Sequence, residues 1–188
     1  MEHMEQMRCG YEYIQCLFCV TGREVLVVRA LEEKNGLRAV FPQKVKPVFH
    51  RDGWRDVNVP LFPGYVFVYA HHPISRDIYA RENGILRVLT YGKDDAQGCL
   101  VEKDRAFAEM LLQKYGVVGA LAAVEEGSHV HITDGILQNY NGRVLKVDRR
   151  KRLAKVELEL LGDHRGVWLA FQVLQKDQNT DENDSDAR

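Results

Sequence analysis

The chain has 188 residues, 45% of them apolar, and its 26 Lys and Arg nearly cancel 27 Asp and Glu to leave a formal net charge of −1. That length allows one large or two small domains, and the charge balance excludes a uniformly basic or acidic polyelectrolyte. No run approaches the roughly 18 apolar residues of a membrane span, and residues 1–10 lack the apolar centre of a secretory signal, so a cytoplasmic protein without membrane contact is expected.

Residues 1–10 hold Met1, Met4 and Met7 with little other pattern. They read as a flexible leader, and any of the three methionines could start translation. From Tyr11 the pattern becomes regular. An apolar strand over 12–19 runs into Thr21-Gly22-Arg23-Glu24, a capping box in which the Thr21 hydroxyl accepts an amide and Glu24 reaches back. The helix that follows runs to Lys34, with Asn35-Gly36 as its left-handed stop. Residues 37–41 read as a short strand ended by Pro42. Residues 46–50 and 54–59 flank Arg51-Asp52-Gly53 as a hairpin, its tip solvated by His50, Arg51 and Arg55. Leu61-Phe62-Pro63-Gly64 is a turn, followed by a strong strand in which 65, 67 and 69 share one face and Val66 and Val68 the other. Ser75 N-caps a short helix to Glu82, 85–89 is a strand, and 103–115 is a helix with Phe107, Met110 and Leu111 on one side. Strands and helices alternate without long crossovers, so the N-terminal fold class is α+β, an antiparallel sheet flanked by helices over 11–115.

Composition shifts at 116–126, where Gly, Ala and Val end in Glu125-Glu126, and this stretch reads as a linker. Beyond it, 130–132, 143–147, 153–161, 167–169 and 172–174 read as short strands. In 153–161, Ala154, Val156, Leu158 and Leu160 point inward and Lys155, Glu157 and Glu159 outward. Five short strands over 127–176 predict a small closed β-barrel, which leaves no exposed edges. Residues 177–188 are polar and acidic and read as a disordered tail.

Chemistry-bearing residues form no catalytic or metal constellation. Cys16 and Cys19 make a C-x-x-C, but on a strand residues three apart face opposite ways, and Cys9 and Cys99 are distant. Buried reduced thiols are the expected state, with a thiol redox protein as the remote alternative. His129 and His131 share a strand face and would hold a metal only with further ligands. Neither an enzyme nor a cofactor is expected.

Two segments together resemble the NusG family of transcription elongation factors. Leu61-Phe62-Pro63-Gly64-Tyr65-Val66-Phe67-Val68 looks like the Phe-Pro-Gly-Tyr strand of the family's N-terminal (NGN) domain, after an opening Tyr13-Ile14 strand and a Thr21-Gly22-x-Glu24 helix start. Gly127-Ser128-His129-Val130-His131-Ile132-Thr133-Asp134-Gly135, with Asn141-Gly142-Arg143-Val144, is similar to a KOW motif, the signature of an SH3-like barrel. Val59-Pro60-Leu61 and the segment from Lys146 to Leu158 further resemble the LoaP group of specialised antiterminators, associated with long operons and a leader RNA hairpin.

The resemblance implies a monomeric adaptor that binds RNA polymerase. Phe62 and Tyr65 would form an apolar patch for the clamp helices, with Phe67 and Tyr13 nearby, while Ser75 and Arg76 would reach the gate loop. The basic run Arg149-Arg150-Lys151-Arg152, with Arg143, Lys146, Lys155 and Arg165, is the candidate RNA-phosphate site, and Tyr140 a candidate base-stacking residue. Each candidate has a plainer role open to it: core packing for the aromatics, a capped surface helix for Ser75 and Arg76, a solvated charged hairpin for the basic run. The alternative within the family is a general elongation factor whose barrel contacts Rho or the ribosome. Whether the two domains dock against each other is left open by the sequence.

Overall fold

A computed structural model describes residues 10–92, 95, 97–126, 129–132 and 143–173. In chain order the elements are β1 (Tyr13–Cys19), α1 (Glu24–Asn35), β2 (Arg38–Val40), β3 (Gln43–His50), β4 (Gly53–Pro60), β5 (Tyr65–Ala70), α2 (Arg76–Arg81), β6 (Ile85–Val88) and α3 (Glu102–Gln113). Then follow β7 (Val117–Val118), β8 (Leu121–Glu126), β9 (His129–Ile132), β10 (Arg143–Asp148), β11 (Leu153–Leu160) and β12 (Asp163–Val173).

The N-terminal unit is built on a four-stranded antiparallel sheet in the order β2-β5-β1-β6. Strand β5 is buried along its whole length, and its alternation sorts the core. Tyr65, Phe67 and Tyr69 enter one apolar cluster with Phe107, Ala108 and Leu111 of α3. Val66 and Val68 enter the other, with Val27 and Leu31 of α1 and Tyr79 of α2. Helices therefore cover both faces, as the alternating pattern required. The α1 stop also follows the sequence reading: Gly36 is left-handed, its N–H bonds the Glu32 carbonyl, and Leu37 N–H bonds the Leu31 carbonyl.

The start of α1 departs from it. Thr21 does not cap the helix; the N-cap is Arg23, without a side-chain hydrogen bond. Buried Glu24 instead accepts from Gly22 N–H and Gly64 N–H, both at 2.7 Å. Half of the capping box has thus become a tie between two distant turns.

The β3–β4 hairpin forms about the predicted Asp-Gly turn, with Phe49 opposite Trp54, His50 opposite Gly53, and Gly53 at φ +123°. Its third partner is β7, in parallel.

Residues 116–126, expected as a linker, carry two strands. Leu121 and Ala123 are fully buried, and β8 pairs in parallel with 171–173 of β12. Small apolar residues look like a low-complexity tether but alternate inward here. Only Gly119 and Ala120 separate β7 from β8, a connection reaching on the order of 10 Å. The C-terminal unit is a five-stranded sheet in the order β10-β11-β12-β8-β9. Strands expected at 167–169 and 172–174 are one continuous strand, β12, and no β9–β10 pairing that would close a barrel is recorded among the described residues.

The two units are docked. Ala154, Val156, Leu158, Leu160, Val167, Leu169 and Phe171 of the C-terminal sheet share one apolar cluster with Phe62, Tyr65 and Phe67 of the N-terminal unit.

Candidate functional site

Two surfaces carry the sequence-predicted residues. The first is the turn at Phe62-Pro63-Gly64-Tyr65. Gly64 adopts φ +84°, and a Cβ there would stand 3.0 Å from the Cys19 carbonyl oxygen, so glycine is required. Its carbonyl accepts from Cys19 N–H at 2.6 Å while its own N–H bonds Glu24, which pins the turn against β1 and α1. Phe62, Tyr65 and Phe67 are thereby held in an aromatic cluster: Phe62 lies 5.9 Å from Tyr65 and 6.2 Å from Phe107, and Phe67 lies 6.1 Å from Phe107.

This cluster is covered. Phe62 retains 2% of its exposure, Tyr65 5% and Phe67 none. The Arg165 guanidinium, from β12, sits over the Tyr65 ring at 4.8 Å from its centroid. Burial raises the Tyr65 phenol pKa, and Arg165 opposes that rise. Beside it, Asp104 of α3 accepts from Leu161 N–H at 3.1 Å and from the Tyr91 hydroxyl at 2.7 Å. Burial holds the Asp104 carboxyl above its ordinary value, against the pull of those two hydrogen bonds. Asp104 and Arg165 therefore act as polar clasps around an apolar contact between the units. Neither clasp was legible from spacing, since each joins residues more than fifty positions apart.

Tyr13 is half-buried at the start of β1, opposite Ala70. Ser75 and Arg76 are exposed; Ser75 caps α2, its Oγ accepting from Asp77 N–H at 3.3 Å. They stand apart from the aromatic turn, on the element that covers the opposite face of the sheet.

The second surface is the β10–β11 turn. Arg149, Arg150, Lys151 and Arg152 are all exposed. Lys151 N–H bonds Asp148 Oδ1 at 3.1 Å, Arg152 N–H bonds the Arg149 carbonyl at 3.2 Å, and Arg152 takes a left-handed φ of 52°. A tight turn thus displays four cations, of which Lys151 lies 3.9 Å from the Asp148 carboxylate. Lys146 and Lys155 are opposite each other on the outward sheet face, where Trp168 is the cross-strand neighbour of Lys155. Arg143 pairs with Glu157 at 3.4 Å. Arg165 does not join this group: it lies at the far end of β11, beside Asp163 and over Tyr65. Tyr140 lies outside the described residues.

The sequence reading missed Phe49, Trp54 and Trp168. Phe49 and Trp54 meet edge to face at 5.4 Å and are 66% and 62% exposed. Their signal was available: a directly opposite aromatic pair flanking an Asp-Gly turn with charged neighbours and no apolar run behind it.

Cys16 and Cys19 are both buried, one in each apolar cluster, which places them on opposite faces of β1. Burial raises the Cys16 thiol well above its ordinary range and pushes Cys19 up to about 12. No helix among the described residues is long and apolar enough to cross a membrane, and no metal-binding group of His, Cys, Asp and Glu occurs among them.

No curated protein matches the sequence. Among solved structures, one described as "Domain interaction in Thermotoga maritima NusG" is similar, at 21% identity and a TM-score of 0.48, over 84% of this chain and 93% of that one. A family model described as "Transcription termination factor nusG" matches residues 15–111, which takes in the aromatic turn, its Glu24 tie and the sheet beneath them. That match spans more than half of the 188 residues, and the chain belongs to the NusG family of non-enzymatic transcription elongation and termination factors.

Proposed function

We propose that the protein is a processive antitermination factor of the LoaP type, which binds RNA polymerase through its N-terminal unit and a leader RNA hairpin through its C-terminal β unit. The observation that carries the RNA half is the exposed turn of four consecutive cations at Arg149–Arg152. Such a turn neutralises phosphates and releases their counterions, which makes affinity fall steeply with salt. The deep major groove of A-form RNA excludes side chains, so recognition would rest on hairpin shape and unpaired bases.

The polymerase half carries a condition. Phe62 and Tyr65 are the residue types that anchor interfaces, yet here the C-terminal sheet covers them. Binding of the clamp helices through this turn requires the two units to part, whereas Ser75 and Arg76 remain accessible for the gate loop throughout. Polymerase would then shift a docked population toward an open one by binding only the latter. An open factor bridging both sides of the polymerase cleft would disfavour the paused conformation and so promote read-through.

Two measurements test this. Purified protein added to transcribing polymerase should associate and raise read-through of pauses and terminators, and Arg165→Ala should associate faster by loosening the clasp. Failure of both proteins to associate sinks the polymerase half. Titration with leader RNA hairpins at low and high salt should show a steep salt slope, reduced by about 2 in R150E/R152E. Equal RNA affinity in that variant, with binding to Rho or the ribosome instead, would leave a general elongation factor.

A further inference from the structure

The face of the β3–β4 hairpin that bears Phe49 and Trp54 turns toward the cationic turn of the other unit. On this face the pairs Pro47–Asp56 and Phe49–Trp54 follow one another along the ladder. Pro47, Trp54 and Asp56 line one open groove together with Arg150, Lys151 and Arg152. Lys151 also lines a second groove, with Lys44, Lys46 and Trp168. The two grooves therefore meet at Lys151 and form one track across the junction between the units, with a tryptophan on each.

The charge of this track is lopsided. Residues 43–60 carry four cations against two carboxylates, and 148–152 carry four against Asp148 alone. Asp52 is engaged by Arg55, whereas no ion pair of Arg51, Arg150 or Arg152 is recorded among the described residues. Lys44 is half-buried, and burial with the neighbouring Lys46 charge lowers its pKa, a cost that a polyanion in the groove would relieve. Exposed aromatic rings beside unpaired cations are the combination that binds single-stranded nucleic acid, with bases stacked on rings and the backbone held by charge. A protein partner would equally accept the aromatic pair but would not call for a cationic lane along both grooves.

We propose that the hairpin tip and the Arg149–Arg152 turn form one composite site for a single-stranded RNA segment, present only while the two units are docked. This deepens the RNA-binding reading given above and rests on it. Its consequence is that such RNA strengthens docking instead of releasing it, so that the transcript and the polymerase clamp compete for opposite states of the molecule.

The test uses the full chain and a fluorescein-labelled single-stranded RNA of about a dozen nucleotides, a length within the usual site size. F49S/W54S removes two exposed rings, and its thermal midpoint reports that the fold is intact. It should weaken RNA binding about tenfold or more with an unchanged salt slope, while R150E/R152E weakens it and flattens the slope. Leu161 N–H, bonded to Asp104 across the junction, reports docking: saturating RNA should slow its hydrogen exchange in the wild type and not in F49S/W54S. Unchanged affinity in F49S/W54S overturns the composite site and leaves the aromatic pair as a protein contact, while loss in R150E/R152E alone still supports RNA binding by the turn. Faster Leu161 exchange on adding RNA also overturns it, because the RNA would then prefer the open form. No effect of either double variant removes the RNA reading itself.

Discussion

Phe62 and Trp54 are eight positions apart on adjoining segments, yet one is sealed in the junction between units and the other stands in solvent. Phe62 follows Leu61 and precedes an uninterrupted apolar strand, so its neighbours bring their own cover: Tyr65, Phe107 and the inward face of the C-terminal sheet. Trp54 lies between Gly53 and Arg55, and its one ring partner among the described residues is Phe49 across the hairpin. An aromatic residue is buried by the company it keeps along the chain, and one left outside that company asks for a partner from elsewhere.

Truncating each ring separates the two environments most directly. Phe62→Ala opens a cavity in a packed junction and should lower unfolding stability by about 3–5 kcal/mol in urea titration, whereas Trp54→Ala should stay within about 1 kcal/mol. Similar losses at both sites would mean that the hairpin tip is packed in solution. Next in size is Glu24, which holds the turn beneath Phe62. Glu24→Ala leaves Gly64 N–H unpaired in a buried place, while exposed Gly22 N–H can turn to water, so a loss of about 2 kcal/mol is expected. Glu24→Gln keeps one accepting oxygen and should lose less. A loss in Glu24→Ala no larger than that of an exposed substitution would show that the turn is held by packing alone.

How far the sequence discloses this follows the same division. The two faces of β5, the inward set Ala154, Val156, Leu158 and Leu160, the Gly36 stop and the Asp-Gly hairpin were all legible, because each depends on periodicity or local backbone chemistry. The resemblance also pointed to the family that the match at 15–111 shows. What was illegible is long-range. Strand β8 hides in an Ala-rich stretch, Glu24 exchanges a local cap for a tie to residue 64, and Arg165 leaves the basic set to cover Tyr65. Charge and size alone assigned Arg165 to the transcript; only the path of β12 separates it from Arg149–Arg152.

The polar edge of the covered region gives a smaller, pH-dependent effect. Burial raises the Asp104 carboxyl above its ordinary value of 3.8 in the folded protein. A carboxyl whose folded pKa exceeds its unfolded one binds protons more readily when folded, so its contribution is favourable below the unfolded value and is lost as pH rises through the folded one. Lowering the pH from neutral toward 3.8 should therefore stabilise the wild type relative to Asp104→Asn, which keeps an acceptor for Leu161 N–H but does not titrate. Urea midpoints of the two proteins across that window measure it. A difference that stays flat would mean that Asp104 is solvated and that the clasp is not closed, whereas one that runs the other way would mean that the hydrogen bonds from Leu161 and Tyr91 outweigh burial.

The smallest effect concerns two thiols buried on opposite faces of β1. Cys16 sits beneath the aromatic cluster and Cys19 beneath the aliphatic one, and burial pushes both toward the neutral, unreactive form. Cys99 is half-buried, and its thiol is raised as well, chiefly by burial. Because only a thiolate attacks an alkylating reagent, native protein at neutral pH should be labelled slowly at Cys99 and not measurably at Cys16 or Cys19, whereas urea exposes all three. Mass spectrometry of the labelled peptides reads this directly. Rapid labelling of Cys16 in the native state would reveal that the docked units part often enough to admit the reagent, and it would place the open form within reach of polymerase without any unlatching step.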